Sequence, residues 1–353
     1  MRPGRVRRGT RRPGLRGGGA HRPRRPDGDP PVTAAIARDE AAGGGPEAER
    51  AEFLRDALAG LTAPAKALPG KYLWDETGSD LFDRICGQAD YYPTRQEMTL
   101  LPRVAAAVAG RVGPGATVVE FGSGASRKIR TLLDALERPA AYIALDISGD
   151  YLAAAIRRLA PDYPAVEMIA VCADYTKPVR LPVETAGRTI LGFYPGTTIG
   201  NFPPADAAAF LERARATLGP SRFLVGTDAT TDPERLGRAY AGSDGLMAAF
   251  HLNLIARLNR ELGGDLDPDN FRHAIRLRGD PNRVEAHLVA RSAATFRLGG
   301  EAIAFAAGES VHTDTSHKYA PDAFRALAAT GGWRVAETWQ DEAGRFNLHL
   351  LEG

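Results

Sequence analysis

The rhythm of apolar and polar positions changes several times along the chain. Phe53, Leu54, Leu58 and Leu61 recur at helical spacing, with Gly70 a little further on, so order begins near Glu47 with a helix. The irregular stretch KYLWDETGSDLFDRICGQADYYPTR follows. It predicts a short helix over Ser79–Cys86 and an aromatic turn at Tyr91, Tyr92 and Pro93. From about Arg95, Met98, Leu101 and Val104 mark an amphipathic helix.

After Gly115 short apolar runs alternate with helical patterns. Strands are predicted at Thr117–Phe121, Tyr142–Leu145, Val166–Val171, Thr189–Phe193 and Phe223–Thr227. Between them lie helices carrying Ile129, Leu132, Leu133 and Leu136, then Tyr151–Leu159, then Pro204–Leu218. Wholly apolar strands in alternation with helices imply a parallel sheet covered on both faces. From Asp232 to Lys318 the alternation stops. Leu246–Leu262 reads as a long helix, and Val284–Val289, Ala294–Leu298 and Ala302–Phe305 as antiparallel strands joined by short turns. This block is expected to be an α+β insertion. The last pieces return to the sheet: helix Pro321–Ala329, then strands Trp333–Trp339 and Phe346–Leu351, joined at Asp341–Arg345 as an antiparallel edge. The fold class is α/β, a doubly wound sheet with an inserted α+β domain.

Residues 1–46 break this picture. They are rich in Arg, Gly and Pro with almost no large apolar side chain, and are expected to be disordered. Residues 1–30 hold ten Arg against Asp27 and Asp29, a net of +8, which leaves −6 for the rest of a chain whose net charge is +2. A mildly acidic body does not suit a nucleic-acid or membrane surface, so neither partner is expected. No apolar run approaches the roughly 20 residues of a membrane span, and the N-terminal stretch lacks the continuous apolar region of a secretory signal. Cys86 and Cys172 stand far apart in no metal-type spacing, which fits reduced thiols in the cytoplasm. No His/Cys cluster at ligand spacing points to a metal. Oligomeric state is not legible.

The densest local signal is VVEFGSGASRKIRTLL, residues 118–133. A strand ends in Gly122-Ser123-Gly124 and a helix begins at once, so backbone N–H groups face any ligand there. Arg127 takes the place of the third glycine of a dinucleotide fingerprint, which weakens a pyrophosphate reading. Lys128 opposes the helix dipole unless it meets an anion, such as the α-carboxylate of a methionine-type cofactor; alone it reads as a solvated lysine. Asp146 ends the next strand and suits ribose hydroxyls, in NAD and S-adenosylmethionine alike. Asp174-Tyr175 closes the third strand and suits an adenine ring, its plainer role being a turn acid. All three signals fall at carboxyl ends of successive strands, where open α/β sheets bind ligands. After the fourth strand, Asn201 lies in YPGTTIGNF before a Pro-initiated helix. It suits a substrate carboxylate or amine, against a plainer role as a helix cap or turn residue.

The stretches KYLWDETGSDLFDRICGQADYYPTR, EFGSGASRKIR, YPGTTIGNF, AYAGSDGLMAAFHLNLIARLNRELGGD and FAAGESVHTDTSHKY together resemble the L-histidine Nα-methyltransferases of ergothioneine biosynthesis. The resemblance covers nearly all of the chain from about residue 50. It implies a Rossmann-like S-adenosylmethionine-dependent methyltransferase core, at about 95–230 and 319–353. A substrate domain would combine 47–94 with the insertion at 231–318. By this resemblance Gly122, Lys128, Asp146, Asp174 and Tyr175 fall on cofactor-binding positions. Asn201 and Tyr240 fall on residues that hold the amino-acid end of the substrate and align it for reaction, and Tyr91 on one near the imidazole. Asp314, Thr315 and Ser316 fall on the motif that grips the ring. The chain departs from the family pattern at three ring-end positions: Asp314 replaces a Glu, Ala286 a Met and Trp74 a Tyr. The resemblance implies Nα-methylation of histidine to the trimethylated betaine, with another aromatic or modified amino acid as the alternative. From other classes, a nicotinamide-dependent oxidoreductase and a non-catalytic cofactor-binding module share the same sheet.

Overall fold

The computed structural model describes residues 35–38, 45–124, 127–181, 187–280 and 282–353. The sheet-forming part contains β1 (Ala35–Arg38), α1 (Pro46–Thr62), α2 (Glu76–Cys86), α3 (Tyr92–Val112), β2 (Thr117–Phe121), α4 (Arg127–Ala135) and β3 (Ala141–Asp146). It continues with α5 (Gly149–Leu159), β4 (Glu167–Cys172), β5 (Ile190–Tyr194), α6 (Pro204–Leu218) and β6 (Arg222–Asp228). Then follow α7 (Pro233–Ala241), α8 (Leu246–Leu262), β7 (Phe271–Gly279), β8 (Asn282–Ala290), β9 (Ala294–Leu298), β10 (Glu301–Phe305) and β11 (Ser310–His317). The chain closes with α9 (Pro321–Thr330), β12 (Arg334–Gln340) and β13 (Phe346–Glu352).

Eight strands form one sheet in the order β1-β4-β3-β2-β5-β6-β13-β12. β1 to β6 run parallel, while β13 is antiparallel to both β6 and β12. The sheet is doubly wound, and its strand residues alternate between two apolar clusters. Val118 packs with α3, α4 and α5 on one face, and Val119 with α6 and α9 on the other. This explains why all five residues of TVVEF are buried: both faces are covered. The order reverses between β2 and β5, so the two loops after these strands diverge and leave a crevice.

A third apolar cluster joins α1, the turn Gly70–Leu73, α2, α7, α8 and the strands β7 to β11. Leu254, Leu258 and Leu73 have no exposed surface. Its strands fall into two small sheets, β11-β8-β7 and β10-β9. The expected run of three successive antiparallel strands is therefore corrected. β8 pairs with β7 and β11, and only β9 and β10 pair with each other. The chain turns away after Ala290, where Ser292 bonds to Asn270 and leads β9 off to the other sheet. Neither β7 nor β11 stood out in the sequence, because β7 interleaves exposed arginines and β11 is polar even where it is buried, at Thr313, Ser316 and His317.

The boundary of the tail also moves. Ala35–Arg38, expected to be disordered, runs parallel to the outer edge of β4, whose backbone groups would otherwise stay unpaired. The Arg-rich stretch from Arg2 to Arg25 lies outside the described residues. Among the described residues no helix is long and apolar enough to cross a membrane, and no disulfide joins Cys86 to Cys172.

Candidate active site

The crevice begins at the turn after β2. Gly122 has φ +72°, and a Cβ there would sit 3.3 Å from the Tyr175 hydroxyl, so glycine lets the turn close against that ring. Gly124 N–H donates to Asp146 Oδ2 at 3.3 Å and Ser148 N–H to Oδ1 at 3.0 Å. No cation pairs with Asp146 among the described residues, and burial pushes its carboxyl up against the pull of those N–H groups. A half-buried carboxylate at a strand end, turned toward the glycine turn, suits a pair of ribose hydroxyls. Tyr175 stands edge-on to Phe121 and Phe210 at ring separations of 6.1 and 5.9 Å. Asp174 fills its plainer role in part: Oδ1 accepts from the N–H and hydroxyl of Thr176, and Lys177 lies 3.7 Å from Oδ2.

Lys128 is neither solvated nor waiting for an anion. Its ammonium sits 2.6 Å from Glu97, a fully buried carboxylate on α3. Burial would lower this lysine, but Glu97 outweighs it and holds Lys128 above the ordinary value. The other Glu97 oxygen accepts the N–H of Gly196, so one acid ties α4 to the loop after β5. No local pattern marked Glu97, which looks like any polar position of a long helix. Glu120, next to the glycine turn, is pushed up to about 8 by burial, with Tyr142 donating to it.

Asn201 closes the helical turn Thr198–Asn201. It is not the cap of α6, since that position is Pro203 and no side chain caps the helix. Its turn packs on β11: a Cβ on Gly200 would fall 2.5 Å from the His317 carbonyl oxygen. Asn201 thus stands beside the end of β11, where the largest polar cluster lies. Tyr240 on α7 and Ser316 on β11 are 3.0 Å apart, and Lys318 donates to both, at 2.6 and 2.8 Å. Lys318 pairs in turn with Asp228 at the end of β6, at 3.0 Å, and Tyr92 donates to the same carboxylate at 2.5 Å. Burial would lower Lys318, and Asp228 holds it above the usual lysine value.

Lys318, Asp228 and Tyr92 were missed in the sequence. Asp228 carried a usable signal, an acid at the carboxyl end of a central strand like Asp146. Lys318 carried none, because its partners lie 90 residues upstream and 78 residues upstream.

At the ring end, Trp74 packs edge-on against Phe82 and Phe250 at 5.0 and 5.4 Å. Tyr91 meets Tyr240 edge-on at 6.0 Å. Asp314 faces Ala286 across the β11–β8 ladder, after a bulge between His312 and Asp314. Burial pushes its carboxyl up to about 7. Thr315 does not join this group. Its hydroxyl lies 2.8 Å from His312 Nε2, on the strand face opposite to that of its neighbours Asp314 and Ser316. The histidines nearby are core residues: burial pushes His273, His287 and His317 down to about 4.

A doubly wound sheet of this strand order, with acid and aromatic side chains at its carboxyl ends, defines a Rossmann-like methyltransferase. The model of the S-adenosylmethionine-dependent, histidine-specific methyltransferases matches residues 53–353, and the chain belongs to that family. It is 40% identical to the histidine N-alpha-methyltransferase of Mycolicibacterium smegmatis, over 90% of this chain and 99% of that protein. The Mycobacterium tuberculosis protein of the same name is 37% identical, over 87% and 96%. A 4-dimethylallyltryptophan N-methyltransferase of Arthroderma benhamiae is 28% identical, over 80% and 88%.

Proposed function

We propose that this chain methylates the α-nitrogen of free L-histidine to the trimethylated betaine, in the cytoplasm and as a step of ergothioneine biosynthesis. What supports this reading most is the convergence of Tyr240 and Ser316, 3.0 Å apart, beside the turn that carries Asn201. On this reading Gly122, Asp146, Asp174 and Tyr175 hold S-adenosylmethionine at the strand ends, with Lys128 and Glu97 bracing the floor. The bound cofactor supplies a sulfonium methyl group for in-line displacement.

The chain itself supplies alignment. The Asn201 amide makes no hydrogen bond among the described residues, which leaves its oxygen for the substrate's amine and its NH2 for the carboxylate. Tyr240 takes the same carboxylate from the other side. With both ends of the backbone held, the nitrogen lone pair has one direction open to it. The amine sheds a proton to solvent before each attack, and Tyr91 and Trp74 exclude water from the ring side. Asp314 and Ser316 meet the imidazole.

Ala286 and Asp314 favour a second reading, since both side chains are shorter than the family residues they replace. The enlarged ring end would admit a bulkier aromatic amino acid, and the relative from Arthroderma benhamiae is named for such a substrate. A substrate panel tests both. Purified protein and S-adenosylmethionine meet histidine, mono- and dimethylhistidine, tryptophan, tyrosine and phenylalanine, with products read by mass. Trimethylhistidine is the expected main product. Methylation of another amino acid with histidine inert overturns the substrate and leaves the cofactor site standing.

A further inference from the structure

Lys318 and Asp228 have side chains with no exposed surface, their charged atoms 3.0 Å apart. Burying an ion pair costs desolvation that its attraction often fails to return, and apolar residues of like volume commonly do as well. Stability alone is therefore a weak reason for this pair, and the hydrogens around it suggest a stronger one.

A lysine ammonium carries three N–H donors and no acceptor. Lys318 has three oxygens within reach: Asp228 Oδ2 at 3.0 Å, Tyr240 Oη at 2.6 Å and Ser316 Oγ at 2.8 Å. All three donors are spent on them. Tyr240 and Ser316 then share two hydroxyl hydrogens across their 3.0 Å separation. One closes the bond between them. The other has no acceptor among the described residues and is left to face the site. The lysine occupies one lone pair on each hydroxyl and the bond between them occupies a third, so a single lone pair remains. The lysine leaves one O–H donor, with the positive end of the pair behind it.

We propose that Lys318, anchored by Asp228, is a positioning residue that orders the Tyr240 and Ser316 hydroxyls to select substrates with a free carboxylate. The inference rests on the proposed function. A carboxylate only accepts, and gains from a charge-assisted bond. A carboxamide brings two N–H donors to a cluster that retains one lone pair, and it carries no charge to meet the ammonium behind the O–H.

The test compares kcat/KM for histidine and histidinamide in the wild type and in the double variant Asp228→Asn/Lys318→Met. Removing both charges avoids leaving one buried without a partner. The acid-to-amide ratio should fall at least tenfold, through KM rather than kcat, while S-adenosylmethionine binding by calorimetry stays unchanged. Should the double variant fail to bind the cofactor, Asp228→Asn/Lys318→Gln keeps polar atoms in both places and carries the same expectation. A ratio equal to wild type in a variant that binds cofactor overturns the role of Lys318 alone. A wild type that binds cofactor and methylates no free amino acid overturns the proposed function and this inference with it.

Discussion

On the cofactor side Asp146 is held by the backbone N–H groups of Gly124 and Ser148, within 22 residues of chain. On the substrate side Tyr92, Asp228, Lys318, Tyr240 and Ser316 hold one another by side chains, across separations of up to 136 residues. The first arrangement depends on a turn and a strand end, and any sequence that makes the turn makes the site. The second depends on several elements arriving together, so a single side chain lost there disturbs its partners. Backbone sites tolerate substitution around them, whereas side-chain networks couple their members.

The largest effect expected on this contrast comes from Asn201→Ala, which should lower kcat/KM for histidine by about 10²-fold or more, with cofactor affinity by calorimetry unchanged. Retention of wild-type kcat/KM would remove Asn201 from the mechanism. Next, Asp146→Ala should weaken S-adenosylmethionine binding by roughly ten- to hundredfold, the ~1.5–3 kcal/mol of hydrogen bonds to a charged group. The KM for histidine should barely move. If each variant instead disturbs both ligands equally, the two halves are not separate.

A smaller shift is expected from Ala286→Met, which refills the ring end. Selectivity between histidine and tryptophan should move toward histidine by ~1–3 kcal/mol, read from paired kcat/KM values. The smallest effect concerns pH. Burial places Asp314 at about 7, so its accepting, ionised form grows as pH rises through that value. The KM for histidine should fall by at most about tenfold from about pH 6 to about pH 8, as the ionised share rises from about a tenth to about nine tenths. Asp314→Asn should flatten this step. Stability runs the other way. A carboxyl raised above its unfolded value, ~3.9, stabilises the fold below that value, and the contribution is lost as pH rises toward about 7. Denaturant midpoints of wild type and Asp314→Asn across that window check the sign.

The contrast also decided what could be read from the sequence. The bounds of β2, α6, α8 and β9 coincide with their expected ranges, because each is a run whose apolar period matches its structure. Gly122 and Asp146 were placed for the same reason, at the ends of such runs. β7 and β11 were not, since FRHAIRLRG interleaves exposed arginines and SVHTDTSH is polar even at its buried positions Thr313, Ser316 and His317. Thr315 was grouped with Asp314 and Ser316 by sequence adjacency, and strand alternation separates them. Lys128 was read as meeting a cofactor anion, and its pairing with Glu97 was not legible because that acid sits 31 positions away on another helix. Pairings of this kind are fixed by packing, and no local pattern encodes them.

Gly200 meets the His317 carbonyl with no side chain between them. The gap between the Asn201 turn and β11 is thus set by the thickness of two peptide backbones, the least variable dimension in a protein. Mutation can barely change it, because no side chain is there to lengthen or shorten. At Trp74, Ala286 and Asp314, by contrast, every exchange alters room or charge without moving the frame. On the proposed reading, the part of the substrate common to all amino acids meets the immovable part of the wall. The part that differs between amino acids meets the adjustable part. New substrates are then reached by few steps from an intact reaction centre, and the ring end is where lineages of this fold have freedom to diverge.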